Sequence, residues 1–220
     1  MAGVIRGGKL YGVSLSPFVR KVRAALAIKS IDYELVNVMP GAMDSDFLAK
    51  SPLSKIPVWE EDGWTLPDSS AICAYLERRV ALPALYPSDA RAFATALFWE
   101  EYSDTRMVDV GTPVFFQRVV HTKIFKQAPD EEIVRRHLEE LLPPVLDQIE
   151  ALFIGRDRAN PDELTIGNVS MWSPFVNLEH AGVEIDSANW PGLAAFLETL
   201  GAHPALREIV DEERAALVNF

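Results

Sequence analysis

The spacing of apolar positions changes character about a third of the way along the chain. Before that point, strand-like and helix-like patterns alternate. "LYGV" is a short, β-prone run, and "SLSP" after it reads as a loop. From Pro17 onward Val19, Val22, Ala25 and Leu26 recur at three- and four-residue steps, which predicts an amphipathic helix to roughly Ser30. "YELVNV" predicts a second strand around Leu35 and Val36, and "DSDFLAK" a short helix. "IPVWEEDGWTLP" holds two β-prone runs about Asp62-Gly63, the turn chemistry of a hairpin. A helix from about Ser69 to Arg79 follows, capped by Asp68 or Ser69. The predicted order is β-α-β-α-β-β-α.

"LPALYPSD", with Pro83 and Pro87, interrupts this alternation. Beyond it strand signals nearly vanish. "DARAFATALFWEEYSDTRMV" and "DEEIVRRHLEELLPPVLDQIEALF" keep a helical period, as do "TIGNVSMWSPFVNLEHAG" and "WPGLAAFLETLGAHPALREIVDEERAAL". Pro143-Pro144 should kink or divide its helix. The expected organisation is an α/β domain over 1–82, a linker over 83–90 and an all-helical domain over 91–220. Trp99 and Trp172 are assigned to the helical core.

Composition narrows the function classes. A net charge of −11 over 220 residues speaks against a nucleic-acid partner. Arg20, Lys21 and Arg23 are a local basic exception and read as a solvated helix face. The single cysteine, Cys73, excludes an intrachain disulfide and reads as a buried structural thiol. Four scattered histidines lack metal-ligand spacing, so no metal is expected. The N-terminus lacks a signal-peptide pattern, and no stretch nears the roughly 18 apolar residues that span a bilayer. The expectation is a cytoplasmic protein with no membrane association.

Three segments carry candidate chemistry. In "SKIPVW" a proline enters a strand, where it cannot donate to the ladder. Pro57 is therefore either a cis-proline that leaves the Ile56 amide and carbonyl free for a peptide-like ligand, or an ordinary trans loop proline. In "LPDSSAI" Asp68 and Ser69 are explained by capping. The same helix start would also hold a carboxylate, with Asp68 accepting from an ammonium, a pairing that suits an α-amino-acid head group. In "SPFVRKVRAAL" Ser16 caps a helix whose first amides favour a thiolate. No His or Asp follows at triad spacing, so its task would be to stabilise another molecule's sulfur anion. Lys55 would add a positive charge for a second carboxylate.

Together and in this order, these segments resemble the cytosolic glutathione S-transferase superfamily over nearly the whole chain. "SPFVRKVRAAL" is similar to the serine-type active-site segment of the tau and zeta groups, which puts Ser16 at the catalytic serine. "SPLSKIPVW" resembles "N-P-x-x-K-V-P-V-L", with Ser51 for the usual Asn, and "PDSSAI" resembles "x-E-S-x-x-I", with Asp68 for Glu. "LTIGNVSMW" is similar to a buried "S/T-x-A-D" capping motif with Gly167-Asn168 for Ala-Asp, which implies a weaker box on an intact fold. "WPGLAAFLETLGAHPAL" resembles a late family motif, with Phe196 for Trp and His203 for Arg.

The resemblance implies a thioredoxin-like N-terminal domain followed by an all-helical domain. It implies a detoxification-type glutathione transferase, with glutathione as co-substrate and no metal. Ser16 would activate the thiol, while Lys55, Ile56, Pro57, Asp68 and Ser69 bind glutathione. A small hydrophobic electrophile would meet a wall containing Phe18, Tyr102 and Arg106, although packing between helices accounts equally for Tyr102. A homodimer is implied. Ser14 is the rival for Ser16. The alternatives are a non-catalytic binding or scaffold protein, a zeta-type isomerase, and an omega-type thiol oxidoreductase. The isomerase is weakened because Ser16-Pro17-Phe18 replaces the zeta "S-S-C". The oxidoreductase lacks its cysteine at position 16.

Overall fold

β1 (Gly8–Tyr11) buries Gly8 and Leu10 and only half-buries Lys9 and Tyr11, the period-two pattern of a strand with one face more deeply covered. A Cβ at Gly8 would lie 2.0 Å from the fully buried Trp59 ring, so that position has room for glycine alone. The computed structural model describes residues 7–154 and 164–218. These fall in two compact units, Met1–Tyr86 and Pro87–Phe220, which part inside the 83–90 segment.

In the first unit a four-stranded sheet has the order β2-β1-β3-β4. β2 (Tyr33–Val36) runs parallel to β1, while β3 (Val58–Glu61) is antiparallel to β1 and to β4 (Trp64–Pro67). The β3–β4 turn places Asp62 at φ 52° and Gly63 at φ 78°, the two left-handed residues of a tight hairpin. α1 (Pro17–Ile28) packs with α3 (Ser69–Arg79). The short α2 (Ser45–Lys50) sets Phe47 against the Tyr11 ring, 6.3 Å between centroids. This is the thioredoxin-like β-α-β-α-β-β-α arrangement.

The basic face expected on α1 is not solvated. Arg20, Lys21 and Arg23 are buried, as is every residue from Val19 to Leu26. A helical period assigns polar side chains to water only when one side of the helix is open. Here the charged heads reach polar partners instead: Lys21 donates to the Ser70 hydroxyl at 3.0 Å and Arg23 to the Tyr33 hydroxyl at 2.8 Å. Lys29 follows the same rule. Its buried Nζ donates to the Val80 and Pro83 carbonyls, both at 2.8 Å, and pairs with Glu77 at 2.6 Å. Glu77 in turn accepts the Leu85 amide at 3.1 Å, so the chain leaving α3 is fixed at three points. Cys73 is buried in α3.

The second unit is helical. α4 (Ala90–Tyr102) and α5 (Val108–Phe115) form one run with wider π-helical turns at Ser103–Met107 and Phe116–Ile124. α6 (Glu131–Arg136) and α7 (Leu142–Gln148) are separated by π turns at His137–Leu141. Pro143-Pro144 occupies the first turn of α7, where missing amides cost little, and so divides the helix as its sequence predicts. α8 (Ile166–His180) is buried from Ile166 to Leu178 and carries the core, including Trp172.

At the start of α8 Thr165 and Asn168 form a reciprocal capping box. The Thr165 amide donates to Asn168 Oδ1 at 3.1 Å, and the Asn168 amide donates back to the Thr165 hydroxyl at 3.3 Å. Asn168 Nδ2, however, is buried without a hydrogen-bond partner among the described residues. Gly167 lets α4 approach, since a Cβ there would stand 2.9 Å from the Ala96 carbonyl. α9 (Pro191–Ala202) is capped by Glu150, which accepts the Gly192 and Leu193 amides at 2.9 and 2.7 Å. α10 (Pro204–Val218) is tied to α8 through the buried pair His180–Glu213 at 3.0 Å.

Candidate active site

Strand register brings the three candidate segments of the first unit to one end of the sheet. Tyr11 pairs with Val58, and Val58 with Pro67. One step further along each chain stand Gly12, Pro57 and Asp68, in a row across the sheet end. The β1–α1 loop therefore meets the proline loop and the start of α3. Gly12 confirms the closeness: at φ 154°, a Cβ on it would lie 2.5 Å from Val19 and 3.4 Å from Ile56. Any side chain there would push the proline loop away from α1.

Ser16 is the N-cap of α1, with extended backbone at φ −73° and ψ 128°, and Pro17 opens the helix. Its hydroxyl is half-buried and accepts the Val19 amide at 3.5 Å, a long bond that leaves the oxygen available to a further partner. The Ser16 amide donates to the Val13 carbonyl at 3.1 Å, which closes a turn with Ser14 and Leu15 at its centre. Ser14 is half-buried in that turn, outside the helix. Phe18 is half-buried in the first turn of α1.

The Ile56-Pro57 bond is cis. Pairing of β3 begins at Val58, so Ile56 lies outside the ladder and its amide and carbonyl are not used by the sheet. Lys55 is exposed and Ile56 half-buried. The buried Ser51 holds this loop from behind: its hydroxyl donates to the Lys55 carbonyl at 2.7 Å and accepts the Lys55 amide at 3.0 Å. The sequence marks Ser51 only as a replacement for Asn. Its structural task becomes visible when both ends of the loop are seen together.

Asp68 caps α3 from a left-handed backbone, φ 82° and ψ 126°, a conformation that costs on the order of 1–3 kcal/mol in a residue with a side chain. Its carboxylate accepts the Ala71 amide at 2.9 Å and its carbonyl the Ile72 amide at 3.0 Å. Asp68 is exposed, while Ser69 is buried. The Ser69 amide and hydroxyl have no hydrogen-bond partner among the described residues. An exposed carboxylate and unengaged donors thus stand side by side at a positive helix end.

On the sheet face under α2, Lys50 is clamped between Glu60 and Tyr11. Tyr11 donates to Glu60 at 3.0 Å, and Lys50 lies 4.7 Å from the Tyr11 ring centre. The bond to Glu60 raises the Lys50 pKa above the usual lysine value, and the same bond lowers that of Glu60. Lys50 is committed there, whereas Lys55 has no ion-pair partner among the described residues.

Tyr102 and Arg106 belong to the second unit. The Tyr102 hydroxyl donates to Gln148 at 2.9 Å, and its ring packs edge-on to Trp99 with centroids 5.3 Å apart. Burial raises the Tyr102 pKa, partly offset by the Arg106 charge. Arg106 is exposed. Among the described residues there is no metal-binding cluster, and no helix is long and apolar enough to cross a membrane.

Residues 10–84 match the family model described as glutathione S-transferase, N-terminal domain. Glutathione S-transferase 3 of Zea mays is 31% identical over 208 residues, covering 92% of this chain and 92% of its own. The chain belongs to the glutathione S-transferase family. A maleylacetoacetate isomerase of Pseudomonas aeruginosa is 28% identical over 206 residues, 91% of this chain and 94% of that protein. Among solved structures, a glutathione S-transferase from Rhodospirillum rubrum F11 matches with a TM-score of 0.80 at 29% identity, covering 92% of this chain and 91% of that one.

Proposed function

We propose that the chain is a glutathione transferase that holds glutathione across the sheet end of its first unit and activates the thiol through Ser16. The observation that carries this reading is the convergence of a helix-capping hydroxyl, an unpaired strand-like segment and a zwitterion-matched helix start. Each fits one part of the tripeptide. The Ile56 amide and carbonyl would pair with the cysteinyl backbone as an added strand does. Asp68 would accept from the γ-glutamyl ammonium while Ser69 and the start of α3 receive its carboxylate. Lys55 would face the glycyl carboxylate.

So held, the cysteinyl sulfur lies toward the start of α1. The Ser16 hydroxyl donates to it there, and the helix end favours its negative charge, so the thiol ionises at lower pH. The thiolate is held by a donor already in place, with no reorganisation at the moment of attack. Attack on an electrophilic carbon forms the carbon–sulfur bond and expels the leaving group with its electron pair, or adds across an activated double bond.

A small hydrophobic electrophile, a homodimer and a cytoplasmic setting complete the reading. Turnover of glutathione with a chloronitrobenzene tests it. Product formation lost in Ser16→Ala supports it, and glutathione binding without turnover of any electrophile indicates a carrier or scaffold. The likeness to the maleylacetoacetate isomerase favours isomerisation as the second reading, distinguished by a product that forms without consuming glutathione.

A further inference from the structure

A cavity of about 240 Å³ opens among α8, α9, α10 and the segment that leaves α8, wholly within the second unit. It shares no residue with the candidate active site. Trp172, Phe175 and Val210, all buried, line it together with the half-buried Leu197. Gly201 borders open space, since a Cβ there would have no neighbouring element within 4 Å. An apolar cavity of about 150 Å³ already takes a benzene ring, so this one has room for a ring with a short chain.

Four charged side chains border the same cavity, and they divide into two kinds. Arg214 is committed, donating to Glu179 and, at 2.9 Å, to Asp211. Arg207 and Glu184 are exposed and take part in no ion pair among the described residues. An unpaired guanidinium presents its donors as a flat fork, which a carboxylate fills with two parallel hydrogen bonds. The net charge of −11 gives the chain no general attraction for anions, so Arg207 is the local reason for one to bind. Glu184 adds a repulsive charge at the border and so limits the ligand to a single negative group. We propose that this cavity binds a small apolar monocarboxylate, its apolar body against Trp172 and Phe175 and its carboxylate on Arg207. Covering the apolar walls supplies the affinity, and the guanidinium sets the orientation.

Ligand-observed NMR titration of the full chain with three probes tests it: 3-phenylpropionate, its uncharged amide, and 2-benzylsuccinate, which adds a second carboxylate. The acid should bind in the range of about 0.1–1 mM, the strength a ligand of this size commonly reaches. The amide should bind about tenfold more weakly, the scale of a lost charge-assisted hydrogen bond. The dicarboxylate should also bind more weakly than the acid. Arg207→Gln should bring the acid down to the level of the amide and leave the amide unchanged. Gly201→Leu, placed to fill the cavity, should block both.

Failure of the wild-type protein to bind the acid would overturn the proposal, as would equal binding of acid and amide. Acid binding that Arg207→Gln leaves unchanged would do the same. Binding that survives Gly201→Leu would put the probes elsewhere and equally overturn it. Tighter binding of the dicarboxylate would overturn the limit to one negative charge. Arg207 is exposed, so its replacement should leave the fold intact. If Gly201→Leu does not fold, Ala194→Leu, on the same cavity, serves in its place with the same two outcomes.

Discussion

Val58 pairs with Pro67 across the β3–β4 ladder, and the next residue outward on each strand is Pro57 on one side and Asp68 on the other. Pro57 has no amide hydrogen to give the ladder and stands just outside it, and Asp68 turns away at φ 82° to open α3. Two devices that end strands therefore leave backbone and carboxylate groups at one edge.

Asp68 holds a conformation that favours glycine, so stability and binding should respond in opposite directions. Asp68→Gly should relieve roughly 1 kcal/mol of backbone strain and lose only a few tenths from the cap. Thermal melting should rise slightly, while affinity for glutathione falls about tenfold or more through loss of the ammonium's partner. Calorimetry and melting on one preparation check both signs.

Ser51 and Lys55 are joined by two hydrogen bonds that shape the loop before Pro57. Ser51→Ala should cost about 1–3 kcal/mol, since it strands a backbone amide and carbonyl. It should also weaken glutathione binding through Ile56. Ser51→Asn, which keeps a donor and an acceptor, should lose less on both counts, as measured by denaturant unfolding and titration.

At the start of α8 the Asn168 side chain closes the capping box with an uncharged amide. Asn168→Asp removes the orphaned Nδ2 and places a negative charge at a helix N-terminus, worth about 0.3–1 kcal/mol from the dipole alone. The new carboxyl should titrate below its unfolded value. Its stabilisation is then present at neutral pH and lost as pH falls through the folded pKa. Melting curves from neutral to acid pH should converge with wild type.

Lys50 and Glu60 make a similar argument without mutation of the site. Glu60 is lowered by its bond to Lys50, so its contribution is present above the unfolded carboxyl pKa and fades as pH drops through the folded one. Lys50 is raised, so its share is present below the unfolded lysine pKa and fades as pH rises through the folded one. Glu60→Gln should flatten the acid limb of stability by a fraction of a kcal/mol, about what partly exposed pairs provide. The activity profile should not follow it.

Much of this architecture was legible in the order of residues. Period-two runs, the Asp62-Gly63 turn and the caps at Ser16 and Asp68 follow from local chemistry, which a sequence displays, while the Thr165 cap came with the family resemblance. The burial of Arg20, Lys21 and Arg23 was not legible, because periodicity assigns charge to water and cannot see a helix covered all round. The two hydrogen bonds between Ser51 and Lys55 and the Lys21–Ser70 hydrogen bond were hidden for another reason. Each depends on loop closure or on contact between elements far apart in the chain. The widening of the long helices into π turns has no marker in their apolar spacing, and Asn168's orphaned amide appears only once its surroundings are packed.

The proposed thiol activation assigns the hydroxyl to Ser16 and keeps Ser14 as its rival. Ser16 caps α1, whereas Ser14 sits in the preceding turn. Ser16→Ala should lower turnover about a hundredfold, the scale of losing one donor to a developing or fixed anion, while most glutathione affinity remains. Ser14→Ala should retain most activity. Abolition by Ser14→Ala alone would reverse the assignment.

The most direct test of thiol activation is ultraviolet difference absorbance of the glutathione–protein complex titrated from pH 5 to 9, for wild type and Ser16→Ala, with binding measured in parallel. A thiolate band is expected in the wild type well below the pH at which free glutathione ionises, and its loss is expected in a Ser16→Ala protein that still binds. A bound glutathione that ionises at its free pH, or a band unchanged in Ser16→Ala, would contradict it.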